Sequence, residues 1–171
     1  MATKAQIYAS LADDTARKIT GDYLDWAAFL GTSSRLYKYP YRDQLLIYAQ
    51  RPDATACAGY ELWNNTMHRY IRRGSKGIAL LTAGSGGMGV RYVFDVSDTG
   101  TRRESRDIEP WRITEQTEQP VRRMLKEAYN ADAEMPLVER IQQISNQQAL
   151  AYWREHRRDI LDSVADSFLS E

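Results

Sequence analysis

The chain has 171 residues, 43% of them apolar, with 23 Lys+Arg balanced by 23 Asp+Glu. That is enough for one domain, or one with an appendage, to bury a core without staples. One cysteine excludes an internal disulfide, two histidines and one cysteine cannot assemble a dedicated zinc set, and no apolar run approaches the roughly 20 residues of a membrane span.

From the N-terminus, residues 4–18 carry Ile7, Leu11 and Ile19 at loose helical spacing and predict a helix, broken at Gly21 and Asp22. The first residues lack the apolar stretch of a signal peptide, so a cytoplasmic protein is expected. Asp22 is a good N-cap for a second helix with Leu24, Trp26, Ala27, Phe29 and Leu30 on a wide apolar face, stopped at Gly31. Pro40 suits the first turn of a third helix, about 41–50, with Leu45, Leu46, Tyr48 and Ala49 inward and Arg42 and Asp43 at its start. Residues 54–59 read as a short strand in which Cys57 is a structural thiol, and 60–67 as a short helical piece with Leu62 and Trp63 in the core.

Residues 68–72 predict a strand in which Arg69 and Ile71 alternate with Tyr70, followed by a Gly-Ser-Lys-Gly turn (74–77) and a buried strand, 78–82. Residues 83–89 read as a long glycine-rich connection. Beyond it, Val90, Tyr92, Phe94 and Val96 share one face of a strand and Arg91 and Asp95 the other. Residues 97–109 read as polar turns, and Pro110 and Trp111 as an extended segment docking one aromatic. Helical periodicity returns at Pro120 with Val121, Met124, Leu125 and Ala128. From Pro136 a long pattern runs through Leu137, Ile141, Ile144, Tyr152, Trp153, Ile160, Val164 and Phe168, as one helix or two. The expected fold is α+β: N-terminal helices, a small mostly antiparallel sheet with a glycine-loop hairpin, and C-terminal helices.

The chemistry is cationic and aromatic rather than catalytic. Gly84, Gly86 and Gly89 match G-x-G-x-x-G in letters, but a strand follows where the dinucleotide motif needs a helix N-terminus. There is no P-loop, no H-E-x-x-H and no nucleophile elbow, so no catalytic residue, metal, cofactor or small-molecule substrate is expected and the chain reads as a non-enzyme. Charge is unevenly spread: residues 35–106 hold 12 Lys+Arg against 6 Asp+Glu, and residues 107–171 hold 8 against 13. Arg69, Arg72, Arg73 and Lys76 crowd around two glycines, which let backbone approach a phosphate while the guanidinium forks match its oxygens. These four are the primary nucleic-acid candidates, with Arg42, Arg51 and Arg91 secondary. Of the aromatics that flank this turn and could stack on unpaired bases, Tyr37, Tyr39, Tyr41, Tyr60 and Tyr70, the three taken as base contacts are Tyr39, Tyr41 and Tyr60.

An ordered series of residues carries a resemblance: Tyr-Arg-Asp-Gln-Leu-Leu-Ile (41–47), Gln-Arg-Pro-Asp-Ala-Thr (50–55), Gly59, Tyr60 and Trp63, Arg-Arg-Gly-Ser-Lys-Gly-Ile (72–78) and Tyr-Val-Phe-Asp-Val-Ser (92–97). It resembles the N-terminal domain of the ArdC antirestriction proteins, a domain associated with single-stranded DNA and carried on plasmids and conjugative elements. Tyr-Trp-Arg-Glu-His-Arg (152–157) and Asp-Ile-Leu (159–161) extend a similarity to the N-terminal region of large helicase/DNA-methylase proteins of integrative elements. The family often has Asn at position 43 and Glu at 75, where this chain has Asp43 and Ser75. The resemblance implies a domain over 1–113 with a helical extension over 114–171 packed on it, and a DNA-binding counter-defence role, antirestriction or anti-CRISPR, for a mobile genetic element. Two alternatives stand beside it. One is a protein inhibitor that meets a restriction or CRISPR nuclease through the acidic helical half, and the other is a positioning module of a large helicase/methylase.

Overall fold

The computed structural model describes residues 2–84, 87–108, 112–130 and 135–169, with side chains as far as Asp162. Pro110, Trp111 and the side chains of Val164 and Phe168 lie outside the described residues. The architecture is α+β, with N-terminal helices, small antiparallel sheets and C-terminal helices. The chain divides into two compact units, 1–107 with 156–171, and 108–155.

In the first unit, helix α1 (Lys4–Gly21) begins with a reciprocal cap. Thr3 Oγ1 accepts from the Gln6 amide at 3.2 Å, and Gln6 Oε1 accepts from the Thr3 amide at 2.7 Å. Its buried stripe is Ala5, Ala12, Ala16 and Ile19, whereas Ile7 is exposed. Small side chains let neighbouring elements approach closely, and three of the four apolar residues in this stripe are alanines. Helix α2 (Tyr23–Ser33) is capped by Asp22, whose carboxylate accepts from the Leu24 amide at 2.7 Å. It buries Trp26 and Phe29, leaves Leu24 exposed, and runs through Gly31 into a 3-10 turn, Ser34–Leu36. Helix α3 (Tyr41–Gln50) has the bounds expected from the sequence and buries Leu45, Leu46, Ile47 and Tyr48. The Phe29 ring meets Tyr41 and Tyr48 edge-on, with centroids 5.8 and 5.5 Å away.

Strands β1 (Cys57–Ala58), β2 (Arg69–Ile71), β3 (Ile78–Gly84), β4 (Gly87–Asp95) and β5 (Thr99–Thr101) form two sheets. One is antiparallel with order β1-β4-β3, and the other is a β2–β5 ribbon. The β3–β4 hairpin pairs as far as Gly84 opposite Gly87, so the strands take up much of the expected glycine connection; residues 85 and 86 lie outside the described residues. The alternation of β4 is as expected, and the structure decides which residues it buries. Val93 and Asp95 are buried and Tyr92 is exposed. Burying Asp95 is possible because its carboxylate is fully hydrogen-bonded. Oδ2 accepts from the Thr55 and Ala56 amides at 2.7 and 3.0 Å, and Oδ1 from the Ser97 amide and hydroxyl at 3.0 and 2.7 Å. Burial alone would raise its pKa, but these donors outweigh it and the carboxyl titrates below its ordinary value.

Between β1 and β2, Leu62–Thr66 is a single π-helical turn. Trp63 is buried within it and donates to the Phe94 carbonyl at 2.8 Å, while Leu62 is exposed. A core cluster joins Ala5, Ala12, Leu36, Leu46, Ile47, Ala54, Ile78, Leu80, Leu81 and Val93. Each large apolar side chain so buried contributes about 1.5–3 kcal/mol.

In the second unit, helix α4 (Glu115–Tyr129) is capped by Thr114 and Thr117 and ends on Asn130 in the left-handed conformation, φ 46°. Helix α5 (Leu137–Leu169) is one helix rather than two; its residues up to Glu155 belong to this unit and those from His156 on to the first. Leu125, Leu137 and Ile144 form a small core there, with Ile113, Val121 and Ile141 against it. Among the described residues no helix is long and apolar enough to cross a membrane.

Candidate nucleic-acid interface

The ribbon β2–β5 was not foreseen, because 97–109 carries no apolar alternation, and it rearranges the site. Its register sets Arg69 opposite Thr101, Tyr70 opposite Gly100 and Ile71 opposite Thr99. Strand β2 leads into a turn in which the Ser75 amide donates to the Arg72 carbonyl at 3.1 Å, with Gly74 at φ 88°. That is the positive-φ third position of a type II turn, which glycine fills without strain. The Arg72 amide donates to the Asp98 carbonyl at 2.9 Å, pinning the turn to β5.

Strand β5 leads into a second basic turn. The Ser105 amide donates to the Arg102 carbonyl at 3.1 Å, and Ser105 Oγ accepts from the Arg102 amide at 2.6 Å and donates to the His68 carbonyl at 2.7 Å. The Arg106 amide donates to the Met67 carbonyl at 3.0 Å. The strands are antiparallel, so the turns stand at opposite ends of a ribbon three residues long, about 10 Å. Arg72, Arg73 and Lys76 lie at one end and Arg102, Arg103 and Arg106 at the other, all exposed. Among the described residues none of these six side chains is in an ion pair. Arg72 Nη1 donates to the Ser97 carbonyl at 3.3 Å, and Arg102 Nη1 to Asn64 Oδ1 at 3.1 Å. Arg102, Arg103 and Arg106 belong to the basic excess of 35–106 but look isolated in sequence, since only the strand pairing places them on the same ribbon as the first turn.

Tyr70 is 43% exposed on the ribbon. Its ring lies across Gly100, where a Cβ would sit 2.3 Å from Tyr70 Cζ, and the Arg102 guanidinium carbon is 5.8 Å from the ring centroid.

The other sequence candidates are placed differently. Arg69 is half-buried and its Nε donates to Thr99 Oγ1 at 2.8 Å. Arg51 pairs with Asp98 at 3.1 Å and donates to Ser97 Oγ. Arg91 pairs at 2.7 Å with Asp43, a carboxylate only 3% exposed. Burial raises the Asp43 pKa, against the pull of Arg91 and of neighbouring Arg42, which is itself half-buried. Tyr39 packs against the core and donates from its hydroxyl to the Cys57 carbonyl at 2.8 Å. Burial pushes its pKa to about 12. Tyr41 is half-buried against Phe29. Tyr60 is 57% exposed at the start of the π-helical turn, and Tyr37 is more exposed still, with Lys38 5.8 Å from its ring. The secondary arginines and two of the three tyrosines are therefore engaged within the fold.

Much of 41–55 acts as internal staples. Gln50 brackets β3, donating to the Ala79 carbonyl and accepting from its amide, both at 2.9 Å. Gln44 donates to the Tyr39 carbonyl at 2.8 Å. Cys57 stands opposite Asp95, and burial, reinforced by that carboxylate, pushes its thiol to about 12. Among the described residues no group of three or more His, Cys, Asp or Glu is arranged to hold a metal ion. Among models of known protein families, curated proteins and solved structures, none matches this chain.

Proposed function

We propose that the protein is a non-enzymatic, cytoplasmic counter-defence protein of a mobile genetic element, antirestriction or anti-CRISPR in role, that acts by binding single-stranded DNA. The observation that carries the DNA contact is the pair of basic turns, Arg72 to Lys76 and Arg102 to Arg106, held at the two ends of one short ribbon with none of their six cationic side chains in an ion pair among the described residues. Separated, exposed guanidinium and ammonium groups on a rigid backbone suit successive phosphates of a strand. The counter-defence role rests on the resemblance of 41–97 to the ArdC N-terminal domain.

The test is a salt-titrated affinity for a single-stranded oligonucleotide, with Arg72, Arg73 and Lys76 changed together to Ala, and separately Arg102, Arg103 and Arg106. Each triple variant is expected to bind at least tenfold more weakly at 0.1 M salt and to flatten the log–log salt slope by roughly 2. Unchanged affinity in both removes the DNA reading. A plasmid-protection assay against restriction and CRISPR nucleases tests the biological role.

A second reading has its own observation. In the second unit the helices expose Met124 and Val138, the latter at 72%, and the exposed Glu127 and Glu139 stand beside exposed Arg123 and Lys126. Exposed apolar side chains with charges of both signs around them suit a protein partner, such as a restriction or CRISPR nuclease. A pulldown with purified nucleases free of DNA tests it, and no stable complex discards it.

A further inference from the structure

We infer that Tyr70 is a stacking platform for one unpaired base, with Arg72 and Arg102 holding the phosphates on either side of it. This rests on the DNA-binding reading and assigns its base contact to Tyr70, one of the aromatics that flank the basic turn in sequence, rather than to Tyr39, Tyr41 or Tyr60. Strand alternation puts Tyr70 and Arg72 on one face of the ribbon, and opposite them Gly100 and the following Arg102. Tyr70, Arg72 and Arg102 are exposed on this face, with Gly100 buried against the Tyr70 ring, whereas Arg69, Ile71 and Thr99 of the other face are half-buried or buried and only Thr101 there is exposed, so the face of Tyr70 is the outer one. Gly100 is not in the left-handed region, and its backbone therefore does not require glycine. What requires it is the Tyr70 ring, which occupies the space of a Cβ at 2.3 Å. A ring laid on backbone cannot turn freely, which lowers the entropy lost when a base stacks on it.

The cations are equally fixed at their bases. The Arg72 amide is tied to Asp98 and the Arg102 amide to Ser105. The Arg102 guanidinium, 5.8 Å from the ring, can join the stack or reach a phosphate. In duplex DNA the bases are already stacked and paired, so the platform selects single strands.

The experiment compares affinities at one salt concentration for oligo-dT, an abasic strand of the same length, and a dT·dA duplex, with thermal unfolding of every variant. Tyr70→Leu is expected to weaken oligo-dT binding roughly tenfold or more and to leave the abasic strand and the duplex unchanged. Tyr70→Phe should match the unsubstituted protein. Gly100→Ala, which pushes the ring away while leaving it present, should behave like Tyr70→Leu. If Tyr70→Leu binds oligo-dT as tightly as the unsubstituted protein, or loses the abasic strand equally, the platform is wrong. Loss of binding in the Arg72/Arg73/Lys76 variant would then still uphold the DNA reading. An unsubstituted protein that binds none of the three ligands overturns both.

Discussion

Two cationic regions of this molecule look alike in sequence and behave differently in the fold. Around α3 and β4, Arg51 and Arg91 are each spent on a carboxylate, Asp98 and Asp43, and Asp43 is almost fully buried. Along the β2–β5 ribbon the six cations of the two turns form no ion pair among the described residues; Arg72 donates to the Ser97 carbonyl and Arg102 to Asn64. The first arrangement stabilises the fold. The second leaves charge available to a polyanion. Counting cations in a stretch of sequence cannot separate the two, because what decides availability is whether a carboxylate from a distant segment is folded against each one.

This contrast can be broken by mutation. The largest expected effect is on Asp95, the most heavily hydrogen-bonded carboxylate beside the first region. Asp95→Ala strands the Thr55, Ala56 and Ser97 donors and should cost about 3 kcal/mol in urea unfolding. Its pKa is lowered in the folded state, so its contribution is complete above the unfolded carboxyl value near 4 and is lost as pH falls through the lower folded value. Stability measured from pH 5 down to pH 2 should therefore fall less steeply in Asp95→Asn than in the unsubstituted protein. An equal slope would show that other groups carry the acid response.

Next in size is Arg91→Ala. It leaves Asp43 buried without its partner and should destabilise by about 2 kcal/mol, discounted because the guanidinium is half exposed, with DNA affinity unchanged. Arg73→Ala with Lys76→Ala should do the reverse: binding a few-fold weaker with a salt slope flatter by about 1.4, and an unchanged melting temperature. If both variants lost stability and affinity together, the two regions would not be separable. The smallest effect concerns Cys57. With its thiol pushed to about 12, it should react with iodoacetamide at pH 8 much more slowly in the native protein than in urea. Rapid native labelling would show that β1 opens readily.

Local signals in the sequence were sufficient for α3 to the residue, for the Asp22 cap, for β3, and for the α+β class, because caps and periodicity are properties of neighbouring residues. The motif 41–55 was also legible as a unit, although its polar residues serve as staples: Gln50 on β3, Asp43 on Arg91, Arg51 on Asp98. Arg72, Arg73 and Lys76 were visible as an exposed basic turn, since Gly74 and Gly77 punctuate it.

Only the tertiary structure decided which face of β4 is buried. Alternation gives two faces and no sign, and the choice fell to the face whose carboxylate, Asp95, finds four donors from residues 55, 56 and 97. Only the pairing of β2 with β5 could join Arg102 and Arg106 to the basic turn and lay Tyr70 over Gly100. Such pairing links residues about 30 positions apart through backbone hydrogen bonds, which leave no mark on side-chain pattern. The sequence alone determined most of the elements, though not β5, and their charge. The contacts between distant elements decided which charges are left to act.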